Sequence, residues 1–227
     1  MSVRFERHVL VRPYEPSDRG RVRHVCFATG FMGEPVDWQW RDAESFSDVF
    51  SAYYTDVEPQ SASVVEIDGV VCGYLLGCID SRAARNPARI AGRHIVRRGI
   101  AFRPGTAGMI WRSVGDVIGD LARRRVRMAD LDFDDERWPA HLHIDLLAEA
   151  RGHGAGQALV RGWLTELRMR QVRGCFLQTM AENTRAIRFF EAMGFERHGG
   201  PILVPGMRQR DGSRLHIQAM VQDLRTG

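Results

Sequence analysis

Arg151-Gly152-His153-Gly154-Ala155-Gly156-Gln157 stands between a strand-like apolar run and a helix-like run, and its reading decides the fold. Glycines at alternate positions let the chain turn without Cβ clashes and approach a ligand closely, leaving several N–H groups pointing one way at a helix start. Such an array suits a phosphate group, because the helix dipole adds partial positive charge there and Arg151 adds a full one. The same glycines also suit a plain strand-to-helix turn. Two nucleotide motifs do not fit. All 32 basic residues are arginine, so the lysine of a P-loop is missing. A dinucleotide fold wants an acidic residue closing a second strand about 20 residues on, whereas Glu166 falls within a helix-like segment.

Immediately upstream, His141 to Leu147 alternates polar and apolar residues. Side chains alternate faces along a strand, so His141, His143 and Asp145 share one face. Downstream, Ala155 to Arg170 reads as a helix with Leu159, Val160, Trp163, Leu164 and Leu167 inward, and Cys175 to Met180 as a strand. Asn183 then caps a helix bearing Ala186, Ile187, Phe189, Phe190 and Met193, which Gly194 closes. Phe195 onward and Leu215 to Val221 supply two last strands, the final one alternating and placed at or near a sheet edge.

Earlier in the chain, His8 to Tyr14 reads as a strand, Ser17 or Asp18 caps a helix with Val22, Val25, Cys26 and Phe27 on one stripe, and Asp42 to Tyr54 reads as a second helix. Ser63 to Ile67 and Val70 to Ile79 form a hairpin about Asp68-Gly69. Residues 80–139 read as an insertion. It holds one helix, Thr106 to Arg125, whose apolar face is Met109, Ile110, Val114, Val117, Ile118 and Leu121. The arginines at 123, 124, 125 and 127 suit a solvated helix end. Asp130, Asp132, Asp134, Asp135 and Glu136 lack the glycine and terminal glutamate of a calcium loop and read as a solvated loop.

The 227 residues show no Pro/Ser-rich linker, so residues 1–227 are expected to form a single domain. No apolar run approaches a membrane span, and no secretory leader is evident, so a cytoplasmic protein is expected. Cys26, Cys72, Cys78 and Cys175 have no metal-ligand spacing and read as buried free thiols, so no metal site is expected. A net charge of +4 gives no reason to expect nucleic acid.

The order strand, helix, helix, strand, strand, strand, glycine loop, helix, strand, helix, strand, strand resembles the GNAT superfamily of acyl-CoA-dependent N-acyltransferases. Two motifs carry the resemblance. The family's glutamine or arginine, followed three residues on by glycine and five on by glycine or alanine, is matched by Arg151, Gly154 and Gly156. Its second motif is matched by Asn183, Ala186, Phe189, Gly194 and Phe195, with Phe190 where tyrosine is usual. Within the superfamily, Trp138 to Leu147, Cys26 to Gly30 and Gly73 to Asp80 are similar to the acetyltransferase-like domain attached to O-GlcNAc hydrolases and to its free-standing bacterial relatives.

The resemblance implies an α/β fold: a mixed, mostly antiparallel sheet of about seven strands, splayed between strands 4 and 5 and flanked by helices. It implies acetyl-CoA as co-substrate and an unidentified amine as acceptor, on a monomer or homodimer. Leu146 and Leu147 would pair with the pantetheine arm. The amides of Gly152, His153, Gly154, Ala155 and Gly156, with Gln157 at the helix start, would hold the pyrophosphate. Asn183 would reach the same region, Arg151 or Arg185 the phosphates, and Phe190 the thioester sulfur. Acetyl transfer also needs a base, for which His143 and Asp145 are the candidates, and a donor for the leaving thiolate. Phe190 cannot donate, leaving water, Tyr53 or Tyr54. Two readings therefore stand: an N-acetyltransferase, or an acetyl-CoA-binding module without turnover. An acceptor pocket would draw on Trp38, Trp40, Tyr53, Tyr54 and the stretch Gly199 to Gly206.

Overall fold

The computed structural model describes residues 8–82, 106–125 and 133–225. The chain begins with β1 (Val9–Pro13), a 3-10 turn over Pro16–Asp18 and helix α1 (Arg19–Thr29). Asp18 does not cap α1 through its own side chain. Its carboxylate instead accepts two hydrogen bonds from Arg12, at 2.7 and 2.9 Å, and one from the Glu15 amide at 2.8 Å, tying the turn to β1. The expected helix over Asp42 to Tyr54 is two helices, α2 (Ala43–Phe50) and α3 (Ala52–Asp56). Between them the Ser51 hydroxyl donates to the Ser47 carbonyl at 2.6 Å, a side-chain bond that competes with helical continuation. Asp42 caps α2 by accepting from the Ser45 amide at 2.8 Å.

Strands β2 (Ala62–Ile67) and β3 (Val70–Cys78) form the hairpin read from Asp68-Gly69. After helix α4 (Ala107–Ala122) come β4 (Ala140–Leu146), α5 (Ala155–Met169), β5 (Gly174–Met180), α6 (Thr184–Ala192), β6 (Glu196–Arg208) and β7 (Arg214–Asp223). The seven strands lie in one sheet in the order β1-β2-β3-β4-β5-β7-β6, antiparallel except for the parallel β4–β5 pair. The mixed, mostly antiparallel sheet is therefore as expected. The last strand lies near a sheet edge, also as expected: β7 is second from the end, between β5 and β6, and β6 forms the edge itself. Alternation in β7 records two differently packed faces rather than an exposed edge.

Between β4 and β5 only Ala140↔Cys175 and His141↔Phe176 pair, and the strands part beyond them. Each face of the sheet has its own core. On one side, Leu159, Val160, Trp163, Leu164 and Leu167 of α5 pack on the sheet with Ile187 and Phe190 of α6. On the other, α1 and α2 place Val22, Val25, Cys26 and Phe46 over Tyr74 and Leu76. The four cysteines are buried free thiols. Gly77 fits α5 to the sheet, since a Cβ there would lie 2.6 Å from the Trp163 ring. Gly77→Ala is accordingly expected to lower stability by roughly 1–3 kcal/mol, as overpacked cores do. The urea midpoint reads this out.

Helix α4 reverses the expected sidedness. Val114, Ile118 and Leu121 are exposed, with Trp111 beside them, and the buried residue is Asp120. Charge decides the orientation. Asp120 takes two hydrogen bonds from Arg214, at 2.8 and 2.6 Å. Asp116 receives Arg208 at 2.8 Å and the Gly206 amide at 2.7 Å, so the polar face lies on β6. Arg123, Arg124 and Arg125 are exposed at the helix end, as expected. Asp134 and Glu136 pair with Arg82 in solvent, and Asp135 with Arg137. Arg127, Asp130 and Asp132 lie outside the described residues.

Candidate active site

The glycine loop is built by backbone geometry. Gly152 and Gly154 have φ of 82° and 77°, a region that side-chain-bearing residues avoid. Gly154 is the N-cap of α5, and a Cβ at either glycine would meet nothing within 4 Å. The loop thus leaves open space in front of the first amides of α5, which have no carbonyl one turn earlier to bond. At Gly156 the fit is tight instead. A Cβ there would lie 3.2 Å from Leu146 and 3.4 Å from Phe189, so the glycine seats α5 close to β4 and α6.

These amides open onto a crevice of about 710 Å³ that follows the split in the sheet. Of the residues singled out in the sequence, His143, Asp145, Leu146, Arg151, Gly152, Gly154, Gly156, Gln157, Asn183, Arg185 and Phe190 line it. Leu147, His153 and Ala155 are not among the lining residues. The Leu147 amide donates to the Cys72 carbonyl at 2.8 Å. Because backbone polar groups alternate sides along a strand, the Leu146 amide faces the split and Leu147 faces β3. Arg151 turns inward: its guanidinium donates to the carbonyls of Leu146, at 2.9 Å, and Gly33, at 2.6 Å. A Cβ on Gly33 would lie 2.9 Å from both Arg151 and Arg185, so the two guanidinium groups flank that glycine. Burial, then the nearby Arg185, lowers the pKa of Arg151. Asn183 caps α6, accepting from the Ala186 amide at 3.2 Å.

On the α1/α2 face, β3 and β4 align Tyr74 with Asp145, Leu76 with His143 and Cys78 with His141. The Tyr74 hydroxyl donates to Asp145 at 2.6 Å. Burial pushes the Asp145 carboxyl up to about 7, although Tyr74, Thr29 and Arg151 pull the other way. Burial likewise pushes His143 down to about 4 and His141 down to about 3, so both rings are neutral at pH 7. His141 is fully engaged, with Nε2 2.6 Å from the Tyr54 hydroxyl and Nδ1 2.6 Å from Ser81. Asp145 and His143 therefore meet the crevice while His141 braces the wall behind them.

Tyr74 is a site residue that sequence reading missed, and the signal for it was its cross-strand register with Asp145. Tyr53 donates to Glu58 at 3.1 Å, Tyr54 bonds His141, and neither lines the crevice. Trp38 and Trp40 do not line it either. Trp40 donates to Ser45 at 2.8 Å and packs edge-on against Phe46 and Phe50, whose own side chains reach the crevice. Gly199 to Gly206 is part of strand β6 rather than a loop, and of it Val204 lines the crevice.

A strand split, an amide array at a helix start and an enclosed carboxylate thus share one crevice. Residues 116–195 match the model of the acetyltransferase (GNAT) family. Over this segment the chain resembles the GNAT acetyltransferases. The matched segment begins within α4 and runs through β4, the glycine loop, α5, β5 and α6 to Phe195. Among solved structures, the chain is similar to SsHAT, with 27% identity over 95% of this chain and 98% of that one, and a TM-score of 0.66. Its fold is shared with yncA from Salmonella typhimurium, solved with acetyl-CoA, at 14% identity and a TM-score of 0.55 over 96% and 95% of the two chains. The ribosomal-protein-alanine N-acetyltransferase of Brucella melitensis also shares it, at 18% identity and a TM-score of 0.52 over 94% and 99%.

Proposed function

We propose that this protein is a GNAT-type N-acetyltransferase, transferring the acetyl group of acetyl-CoA directly to a primary amine of a small molecule or peptide, both held together in the crevice. The observation that carries this reading is the meeting, in one crevice, of an unpaired strand edge, an open amide array and a carboxylate poised near neutrality. Acetyl-CoA supplies a thioester carbonyl: the C–N bond forms as the amine attacks, the C–S bond breaks, and the sulfur leaves with its electron pair and takes up a proton.

The chain's own groups divide the work. The Leu146 amide lies where an extended pantetheine arm would run as an added strand. The α5 amides and the Arg151 and Arg185 pair meet the negative charge of the phosphates. Asp145 accepts the proton of an incoming ammonium, directly or through water, and Tyr74 holds that carboxylate in place. His143, neutral beside it, is the second candidate base. The thiolate's proton comes from water, because Phe190 has none to give and Tyr53 and Tyr54 are committed elsewhere.

That same Phe190 supports a second reading, an acetyl-CoA-binding module without turnover. Two measurements separate the possibilities. Calorimetric titration is expected to show acetyl-CoA binding, and no heat at hundreds of micromolar ligand sinks both readings. Amine-dependent thiol release is then expected for the enzyme, and its absence across an amine panel leaves the binding module.

A further inference from the structure

The acceptor half of the crevice has a chemistry of its own. Met180 pairs directly across from Ile217, and directly opposed residues of antiparallel strands share a face. Met180 and Met207 pack against the core under α1 and α2, the face that also carries Tyr74, His143 and Asp145. Phe46 and Phe50 reach the crevice from α2, and Met32 from the segment after α1. The wall facing Asp145 is thus aromatic rings, thioethers and the branched aliphatic chains of Ile217 and Val204. Methionines adapt to irregular apolar shapes, and a pocket so lined gains by removing apolar surface from water.

The polar inventory of that half is short. Thr29 gives its hydroxyl to the Val25 carbonyl at 2.7 Å, and Tyr74 gives its own to Asp145. His143 beside Asp145 and the amide of Gln178 are the other polar side chains there. The two arginines that line the crevice, Arg151 and Arg185, lie together against Gly33 near the glycine loop, and Arg151, near enough to Asp145 to lower its pKa, has its guanidinium on the carbonyls of Leu146 and Gly33. A substrate carboxylate would find beside Asp145 only Arg151, already bonded to two carbonyls, and a sugar's hydroxyls would find few partners; either loses hydrogen bonds it had in water. Among the described lining residues Asp145 is the one carboxylate, which suits one ammonium and offers no second site for a polyamine.

We infer that the acceptor is an alkyl- or arylalkylamine, a single amino group on an apolar body that carries no anion. This rests on the acetyl-transfer reading. The test compares phenethylamine and hexylamine with phenylalanine, glucosamine and spermidine. Thiol release with acetyl-CoA gives kcat/KM, and calorimetric titration of each amine gives affinity without requiring turnover. The expected result is at least a tenfold preference for phenethylamine over phenylalanine, which differ by the carboxylate alone, and over glucosamine and spermidine. Met180→Arg, adding a cation to the wall, is expected to narrow the gap between phenethylamine and phenylalanine. Equal or better use of phenylalanine, glucosamine or spermidine by the unaltered protein overturns the inference, as does failure of both apolar amines to bind. Should acetyl-CoA fail to bind, the transfer reading falls separately, and the amine titrations decide the preference of the pocket by themselves.

Discussion

Asp145→Asn is expected to lower kcat for acetyl transfer by roughly 10²–10⁴-fold, the range over which a positioned acid or base contributes, with acetyl-CoA affinity retained. The amide keeps an oxygen for the Tyr74 hydroxyl and the shape of the wall, but it cannot take a proton. A pH profile identifies the group. With Asp145 near 7, kcat/KM of the unaltered protein rises through that pH as the carboxylate ionises, and is flat well above it. Were His143 the base, the limb would fall near 4 instead. A limb at 7 that persists in Asp145→Asn rejects the assignment. Stability separates catalysis from folding. The Asp145 pKa is raised from 3.8 to about 7, so its contribution to stability is fully present below 3.8 and lost as pH rises through 7. At pH 8 the asparagine variant should therefore be no less stable than the parent. His143 has the opposite sign: lowered from 6.5 to about 4, its contribution is present above 6.5 and lost as pH falls through 4.

Gly154→Val is expected to weaken acetyl-CoA binding by roughly 10- to 100-fold. The cause is conformational, since a Cβ at this position would meet no neighbour. A β-branched residue at a φ of 77° carries about 1–3 kcal/mol of strain, and each 1.4 kcal/mol is about tenfold in affinity. The loop relieves the strain by leaving this conformation, which scatters the α5 amides. Calorimetry measures the affinity, and a thermal melt registers any loss of fold. Binding unchanged in a folded variant would show that these amides do not hold the ligand.

The elements around the crevice were legible because their signals are local. Alternation over seven residues fixed the face shared by His143 and Asp145, and the glycines and Asn183 marked the starts of α5 and α6. What sequence could not carry was the choice among distant partners. The apolar stripe of α4 gave the helix but not its orientation, because Asp116 and Asp120 meet Arg208 and Arg214 some 92 and 94 residues away. Tyr74 joins Asp145 across 71 residues, and only strand register makes them neighbours. Trp40 and Tyr54 read as pocket residues by type, yet their polar atoms are spent on Ser45 and His141. The place of β7 likewise depends on β6 turning back along its far side.

A sheet that parts down its middle has twice the edges of an intact one, and exposed edges invite other chains to add strands. This protein deals with its outer edges by different means. On one flank β1 is five residues long and ends at Pro13, which has no amide to offer. On the other, β6 lies against α4, and Asp116 holds the Gly206 amide. The two inner edges face each other across the crevice. The strip of backbone most able to template aggregation is therefore turned inward, where a slender ligand can lie along it more readily than a second protein chain.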